Sequence, residues 1–367
     1  SFVAQYPDSF DGWYRLGWAR MITGRSEPAI QAFQKVLEID PKSSGAYINI
    51  ASAYSGLRKP GEAVANYEKA FALEPNALYG QFVNHEYGFT LITLGEVPRA
   101  EEAFRKMLLR DDPSKARAHR SLALLRMYQG KYAEAIPHLK EAILVNQALK
   151  ATLSELRDRM YLARVYRTKG MVAAFEAELH AAGQIHATAV VSPDWSFHLA
   201  RMYARDGKLE EAGLVLQKAE KALSDTSAMS SVNRDTRRDQ ALIETLKGEV
   251  ELAGSRPAHA TEILEVASRL FPDPTIMESL ANAYWKLGNR EEAARNYQKL
   301  VETPRLGAES QEDWILAHYQ LGRIYQQAGD DTQARQYYEK LLAIWKDGDP
   351  DLPAVVDARK QLVRLRR

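Results

Sequence analysis

The sequence has no cysteine among its 367 residues, which excludes disulfide bonds, zinc sites with thiolate ligands and cysteine nucleophiles. It has no apolar run near the roughly 18 residues that cross a bilayer, and its N-terminus lacks the basic and apolar regions of a signal peptide. Lys and Arg number 49 against 48 Asp and Glu, so the formal net charge of +1 does not predict a polyanion binder. We therefore expect a soluble chain without membrane insertion, in a compartment that the composition leaves open.

Motifs that carry chemistry are also missing from the sequence. It contains no HExxH, no GxSxG, no Walker loop and no dinucleotide-binding glycine fingerprint. The eight histidines are scattered, and the closest pair, His180 and His186, would lie on opposite faces of a helix. We therefore predict no catalytic residues, no cofactor and no metal site, and we do not expect an enzyme.

Residues 44 to 77 carry the clearest pattern in the chain. Apolar residues fall at the i, i+3, i+4 and i+7 positions of one helix face, at Tyr47, Ile50, Ala51 and Tyr54. A second helix follows the same logic before a proline, at Ala63, Tyr67, Ala70 and Pro75. Neither helix can bury its stripe alone, so the two-helix unit implies neighbouring copies of itself.

The pattern recurs 34 residues upstream, at Trp13, Leu16, Gly17, Ala29, Phe33 and Pro41. It resembles the tetratricopeptide repeat (TPR) family, whose signature is W-x2-L-G-x2-Y, then A-x3-F, then Pro. Continuing the frame downstream yields nine repeats over almost the whole chain. The resemblance implies an all-α fold, an α-solenoid that forms a right-handed superhelix of about nine helix-turn-helix repeats with a C-terminal capping helix.

The repeat frame predicts five segments along the chain. The seventh repeat fits only if its first helix is shifted by one residue, which places Lys247 at a small-residue position beside Gly248. Residues 227–240 are polar and break the period, so we expect a linker or helix extension that is cut first in limited proteolysis. The segments are 1–9, the remnant of a preceding repeat; 10–226, repeats one to six; 227–240, the irregular linker or helix extension; 241–348, repeats seven to nine; and 349–367, the capping helix.

Glycine and small residues have fixed places in the frame. Seven repeats carry Gly between their two helices, where we expect a left-handed residue, at Gly24, Gly95, Gly130, Gly170, Gly207, Gly288 and Gly329. Small residues on the first helix should let paired helices approach closely, at Gly17, Ala51, Ala163, Ala200 and Ala281. Ser192 and Asp273, each followed by Pro, are predicted N-caps.

A second stripe on each first helix lies about 120° from the buried one. In TPR proteins this stripe lines a concave groove that holds an extended peptide or a partner helix, so the resemblance implies a partner-binding groove here. Its Lys and Asn carboxylate clamp, known from chaperone-binding members, is not reproduced. The predicted groove residues are Tyr14, Trp18, Phe82, Phe89, Arg117, Arg120, Arg157, Arg164, Arg167, Arg201, Asn282 and Trp285.

The stripe is aromatic near the N-terminus and rich in arginine in repeats four to six. Residues 115 to 170 carry twelve Lys or Arg against four Asp or Glu, and arginine forks suit carboxylates and phosphates. We therefore expect a non-catalytic protein-protein interaction scaffold whose concave groove binds an acidic peptide or partner segment. Solvated helix faces without a ligand, RNA or polyanion binding, and a self-associating structural module remain as alternatives, with nucleic acid ranked below protein.

The C-terminal run from Tyr338 to Pro353 resembles the ends of TPR arrays in bacterial multidomain kinases and regulators. This second resemblance covers some 30 residues. It implies a bacterial source, in cytoplasm or periplasm, and further upstream domains.

Overall fold

The computed structural model describes residues 2–75, 81–224, 236–303, 306–308 and 310–365. Every regular element in these ranges is helical, as the sequence predicted, and none of their helices is long and apolar enough to cross a membrane. Of the predicted linker, residues 227–235 lie outside the described ranges, whereas residues 236–240 form the first turns of a helix. The described helices follow the nine predicted repeats in order, two to a repeat.

The twenty α-helices are named here in chain order, and a short 3₁₀ turn, Met107–Leu109, follows α7. They are α1 (Phe2–Gln5), α2 (Phe10–Ile22), α3 (Ser26–Ile39), α4 (Ser44–Gly56), α5 (Pro60–Leu73), α6 (Gln81–Thr93), α7 (Val97–Lys106), α8 (Asp112–Tyr128), α9 (Tyr132–Ala148), α10 (Thr152–Thr168), α11 (Val172–Thr188), α12 (Pro193–Arg205), α13 (Leu209–Ser224), α14 (Thr236–Ala253), α15 (Pro257–Leu270), α16 (Pro274–Leu287), α17 (Arg290–Val301), α18 (Gln311–Gln327), α19 (Asp331–Ile344) and α20 (Pro353–Arg364).

The chain forms two compact units, Ser1–Leu122 and Ala123–Arg367, called unit 1 and unit 2 below. In unit 1, each helix pair packs on the next through apolar side chains, as the periodicity predicted. Phe33 of α3 is fully buried and contacts a cluster that includes Ile50 of α4. Burying a side chain of that size contributes about 1.5–3 kcal/mol, so stability rests on the faces between neighbours.

Unit 2 is built in the same way over its own repeats. Tyr297 and Leu300 of α17 are buried between Ala281 of α16 and Leu321 of α18. Ala281 occupies a predicted small-residue position and has no exposed surface. A second buried cluster joins α14, α15 and α16, so the packing continues from one helix pair to the next.

The turn glycines are confirmed as left-handed residues, with φ between 68° and 86° at all seven predicted positions. The two repeats that lack glycine there place Arg58 and Ser255 at the same point, with φ of 57° and 60°. A side chain is strained in this conformation, by roughly 1–2 kcal/mol. The turn geometry is therefore kept even where the residue type disfavours it.

The close helix approach in the seventh repeat is made by Gly248, one residue after the frame position that Lys247 would occupy. A Cβ added to Gly248 would lie 2.5 Å from Cγ of Leu264, so α14 and α15 touch there. Lys247 instead forms ion pairs with Glu220 and Glu244, both at 3.1 Å. The register shift expected for this repeat is thus observed.

The two predicted N-caps differ in the structure. Asp273 caps α16 through its side chain, which accepts a hydrogen bond from the backbone N–H of Thr275 at 2.9 Å. Ser192 stands at the N-cap of α12, but its side chain accepts no capping bond. Its backbone carbonyl accepts from Ser196 instead, and Pro193 occupies the first helical position in keeping with the pattern.

Candidate functional site

The predicted aromatic residues of unit 1 fall into an exposed group and a buried one. Trp18 on α2 and Phe82 on α6 expose 45% and 60% of their surface. Tyr14 is half-buried, and its hydroxyl accepts a hydrogen bond from Asn49 of α4 at 2.9 Å. Together Tyr14, Trp18 and Phe82 are called the aromatic face.

Phe89 belongs to the core rather than to the aromatic face. Its ring is 5% exposed and lies 5.1 Å from Phe104 and 4.9 Å from His85, measured between ring centroids. His85 in turn is held by Ser121, with 2.8 Å between Nδ1 and Oγ. The prediction that Phe89 lines the groove is therefore wrong, because its side chain is buried between α6 and α7.

Arg117 and Arg120 are the predicted arginines of unit 1. The Arg117 guanidinium stacks on the ring of Phe82, 4.1 Å from its centroid. Such a cation–π contact contributes about 0.5–1 kcal/mol at an exposed site. Arg120 is almost completely buried. One predicted arginine therefore borders the aromatic face, and the other lies beneath the surface.

Three predicted residues of unit 2 are half-buried at separate places. Arg157 of α10 lies over the ring of Trp195 at 4.5 Å. Trp285 of α16 is covered by the guanidinium of Arg323 at 5.3 Å, and Asn282 lies one turn before it. These contacts are local, and the three residues lie on two different helices, α10 and α16.

The remaining predicted arginines of unit 2 do come together. Arg164 and Arg167 are three residues apart on α10, and Arg201 lies on α12 with Arg205 one turn later, so each pair occupies one helix face. These four side chains, called the arginine face, line a common cavity of about 330 Å³. Arg205 was not predicted, although its i+4 spacing from Arg201 was a readable signal.

Four carboxylates of the same unit meet the arginine face from α14, α16 and α18. Arg201 is 4% exposed and contacts Asp313 at 2.8 Å, and it also pairs with Glu278. Arg205 reaches Glu249 at 2.6 Å and Glu278 at 2.5 Å. We call Glu249, Glu278, Glu312 and Asp313 the carboxylate cluster.

Two carboxylates of this cluster, Glu249 and Asp313, are well stabilised by the arginines. Burial opposes ionisation of Glu249, but the guanidinium groups of Arg205 and Arg201 outweigh it and lower the pKa of Glu249 to about 2. The pKa of Asp313 is likewise about 2, because Arg201 overcomes the effect of burial. Both groups are therefore ionised at neutral pH and held by the arginines.

Glu312 is the poorly compensated member of the cluster. Its closest guanidinium, that of Arg164, is 3.5 Å away, and its other partners are the hydroxyls of Tyr132 at 2.6 Å and Thr168 at 3.1 Å. Burial raises the pKa of the Glu312 carboxyl above its ordinary value, and these partners only partly offset that effect.

Further contacts within unit 2 join the residues that follow α19 to α9 and to the end of α10. The indole of Trp345 is 1% exposed and meets the ring of Tyr132 edge-on, with 5.7 Å between centroids. Asp349 accepts a hydrogen bond from the backbone of Ala133 at 2.9 Å and pairs with Lys169 at 3.1 Å. Repeats nine and four, which are far apart in sequence, thus contact each other within unit 2.

Sequence reasoning found the arginines but not their partners. The counter-charges come from later repeats of the chain, and the contact between Arg201 and Asp313 alone spans 112 residues of sequence. One signal was present, since Glu278 occupies a stripe position in repeat eight.

Sequence models of the tetratricopeptide repeat family match the chain at five places: residues 10–43, 44–77, 90–150, 275–303 and 317–349. Among curated proteins, the type IV pilus assembly protein PilF of Pseudomonas aeruginosa is 28% identical over 160 residues, 42% of this chain and 61% of that protein. The human protein O-mannosyl-transferase TMTC3 is 25% identical over 42% of this chain and 17% of its own length. The chain thus spans less than two thirds of either relative.

Solved structures share the fold at low identity. Human IFIT1 bound to PPP-AAAA is 19% identical, with a TM-score of 0.49 over 95% of this chain and 80% of that chain. An IFIT1 structure with m7Gppp-AAAA gives a TM-score of 0.50 at 18% identity, over 97% of this chain and 82% of that one. At this identity the similarity concerns the helical-repeat fold alone.

Proposed function

Because this chain belongs to the tetratricopeptide repeat family, we propose that it is a non-catalytic scaffold that binds a segment of a protein partner carrying acidic and apolar side chains. A role in protein-protein interaction is what the repeats imply in general. The specific ligand and the surfaces below are our proposal.

The observation that carries the proposal is the exposure of Trp18 and Phe82. Large aromatic side chains that stay about half exposed forgo roughly half of the ~1.5–3 kcal/mol that full burial contributes, and at interfaces such residues supply most of the binding energy. Both belong to the stripe of first helices. The bond between Tyr14 and Asn49, and that from Ser52 to Glu86 at 3.1 Å, link the neighbouring first helices α2, α4 and α6. An apolar side chain of the partner would lodge on this face.

The acidic character of the partner is supported by the arginines. In unit 2 the arginine face already meets four carboxylates, so its geometry suits that group. In unit 1, Arg117 borders Phe82 and would face a carboxylate next to the apolar anchor. We do not propose nucleic-acid binding, because the arginines of unit 2 meet carboxylates of the chain and the IFIT1 similarity concerns the fold alone.

The experiment replaces Trp18 and Phe82 by Ala in one variant and Leu109 by Ala in a control. Leu109 is 85% exposed in the same unit but lies in the 3₁₀ turn, away from the first-helix stripe. A partner is captured from lysate, identified by mass spectrometry and then titrated with purified variants. We expect the aromatic variant to bind at least about tenfold more weakly with unchanged helicity, whereas the control binds as the parent protein does. Equal affinity in all three proteins would contradict the aromatic face as the binding surface.

A further inference from the structure

The carboxylate cluster presents to the arginine face the same chemistry that an acidic partner would present. We propose that unit 2 is autoinhibited: Glu312 and Asp313, at the start of α18, occupy the arginine face, and an acidic partner segment binds there by displacing them. The inference rests on the proposed function, which it deepens by naming what regulates the arginine face. It concerns unit 2 alone.

The cluster divides into a fixed part and a displaceable part. Glu249 receives a hydrogen bond from Ser279 at 2.5 Å in addition to its ion pairs with Arg205 and Arg201, and it is almost fully buried. Glu312 has only the distant guanidinium of Arg164 and two hydroxyl donors. A buried carboxylate with so little compensation opposes its own burial. Glu312 is therefore the least stabilised member of the cluster, and Asp313, although Arg201 holds it, would move together with Glu312 because the two residues are adjacent in the first turn of α18.

The cavity beside Glu312 and Asp313 offers an incoming anion a place to bind first. Arg167 lines this cavity, and its guanidinium donates to the backbone carbonyl of Arg205 at 2.9 Å and lies over the ring of Phe175. Among the described residues, no carboxylate lies within 4.0 Å of it. Partial burial of the guanidinium and the neighbouring charge of Arg205 lower the pKa of Arg167, so an anion at this point would be stabilised.

Displacement exchanges one carboxylate for another on the same arginines. A partner segment first meets Arg167, which is exposed at the cavity, and then replaces Asp313 on Arg201 and Glu312 on Arg164. Because similar bonds are broken and formed, the native chain should bind such a segment weakly. Removing the charges of Glu312 and Asp313 should leave the arginine face with only Glu249 and Glu278 as counter-charges and so raise the affinity for an acidic segment.

The test measures binding of a labelled Glu- and Asp-rich peptide by fluorescence anisotropy, with its Gln- and Asn-substituted counterpart as the neutral probe. The latch variant combines Glu312→Gln with Asp313→Asn. The matched control combines Glu339→Gln with Asp331→Asn, which removes the same charge from exposed positions of α19 in the same unit. We expect the latch variant to bind the acidic peptide at least about tenfold more tightly than the parent and the control do. We expect no gain in affinity for the neutral peptide.

Adding Arg167→Gln to the latch variant should abolish most of that gain. An affinity equal to that of the control, in a latch variant that keeps its helicity, would overturn the proposal and assign the network to structure alone. Tighter binding of a polyuridylate than of the acidic peptide would overturn the choice of a protein partner.

A second measurement covers the case in which the latch variant fails to fold. Hydrogen exchange of the native chain is compared with and without saturating acidic peptide. We expect faster exchange in the first turns of α18, after Gln311, because the peptide displaces them, while α12 exchanges more slowly. Unchanged or slower exchange at the start of α18 would refute displacement. Neither measurement involves Trp18 or Phe82, so failure here is distinguishable from failure of the aromatic face.

Discussion

Replacing Gly322 by alanine should destabilise unit 2, because α18 and α19 touch at this residue. A Cβ built on Gly322 would lie 2.6 Å from Cε1 and 2.7 Å from Cδ1 of Tyr338, far inside ordinary contact. Tyr338 cannot yield easily, since it has no exposed surface and its hydroxyl donates to Gln326 at 2.9 Å. Overpacking of this kind costs about 1–3 kcal/mol, whereas alanine gains about 1 kcal/mol over glycine in a helix. The net loss should be up to about 2 kcal/mol.

Gly213→Ala is the matched control. Gly213 lies inside α13 of the same unit, and a Cβ added there meets no atom within 4 Å. Only the helix-propensity gain should remain, so this variant should be more stable than the parent by up to about 1 kcal/mol. Urea unfolding followed by circular dichroism measures both changes.

The steric origin can be isolated with a double-mutant cycle. Combining Gly322→Ala with Tyr338→Leu should cost less than the sum of the two single changes, because the smaller side chain makes room for the new methyl group. Equal free energies of unfolding for Gly322→Ala and Gly213→Ala would contradict the steric explanation. Strictly additive effects of Gly322→Ala and Tyr338→Leu would contradict it as well.

Two further predictions concern buried polar groups of unit 2. Burial, together with the charge of Lys218, lowers the pKa of His186 to about 4. The stabilisation contributed by neutral His186 should be fully present above pH 6.5 and should be lost as the pH falls towards 4. We expect His186→Gln to flatten the pH dependence of the free energy of unfolding by up to about 3 kcal/mol across that window, and an unchanged slope would contradict this. Tyr132→Phe removes the shortest donor to the Glu312 carboxylate and should destabilise unit 2 by about 1–3 kcal/mol in chemical denaturation, whereas Tyr128→Phe should be close to neutral; equal effects would remove the assigned role of that hydrogen bond.

The helices and turns could be read from the sequence because they depend on local rules. The apolar stripe of residues 44 to 77 recurs wherever a helix pair must bury a face, and the turn glycines mark where the chain needs a left-handed residue. Even the one-residue shift at Gly248 was visible as a conflict between two frames. In each case the information lies within one repeat or between neighbours.

The candidate site could be read only in part. Phe89 and Trp18 occupy equivalent stripe positions and each follows a glycine, yet Phe89 is buried, because its ring packs on those of Phe104 and His85. The partners of Arg201 could not be found by repeat spacing, since Glu278 and Asp313 lie beyond its neighbouring repeat. The repeat period of the sequence predicts contacts between neighbouring repeats. It does not predict contacts between repeats that are distant in sequence, such as those of Arg201 with Glu278 and Asp313.

The contact of repeat nine with repeat four changes how unit 2 should unfold. In an open stack each repeat depends on its neighbours alone, so disorder can spread inwards from an end one repeat at a time. Here Trp345 and Asp349 are bound to residues more than 200 positions earlier, at Tyr132 and Ala133. Long-range contacts of this kind slow folding, because a large loop must close before they form. They also connect repeats four and nine directly, so unit 2 should unfold cooperatively, and a substitution that destabilises one of these repeats should lower the stability of the others.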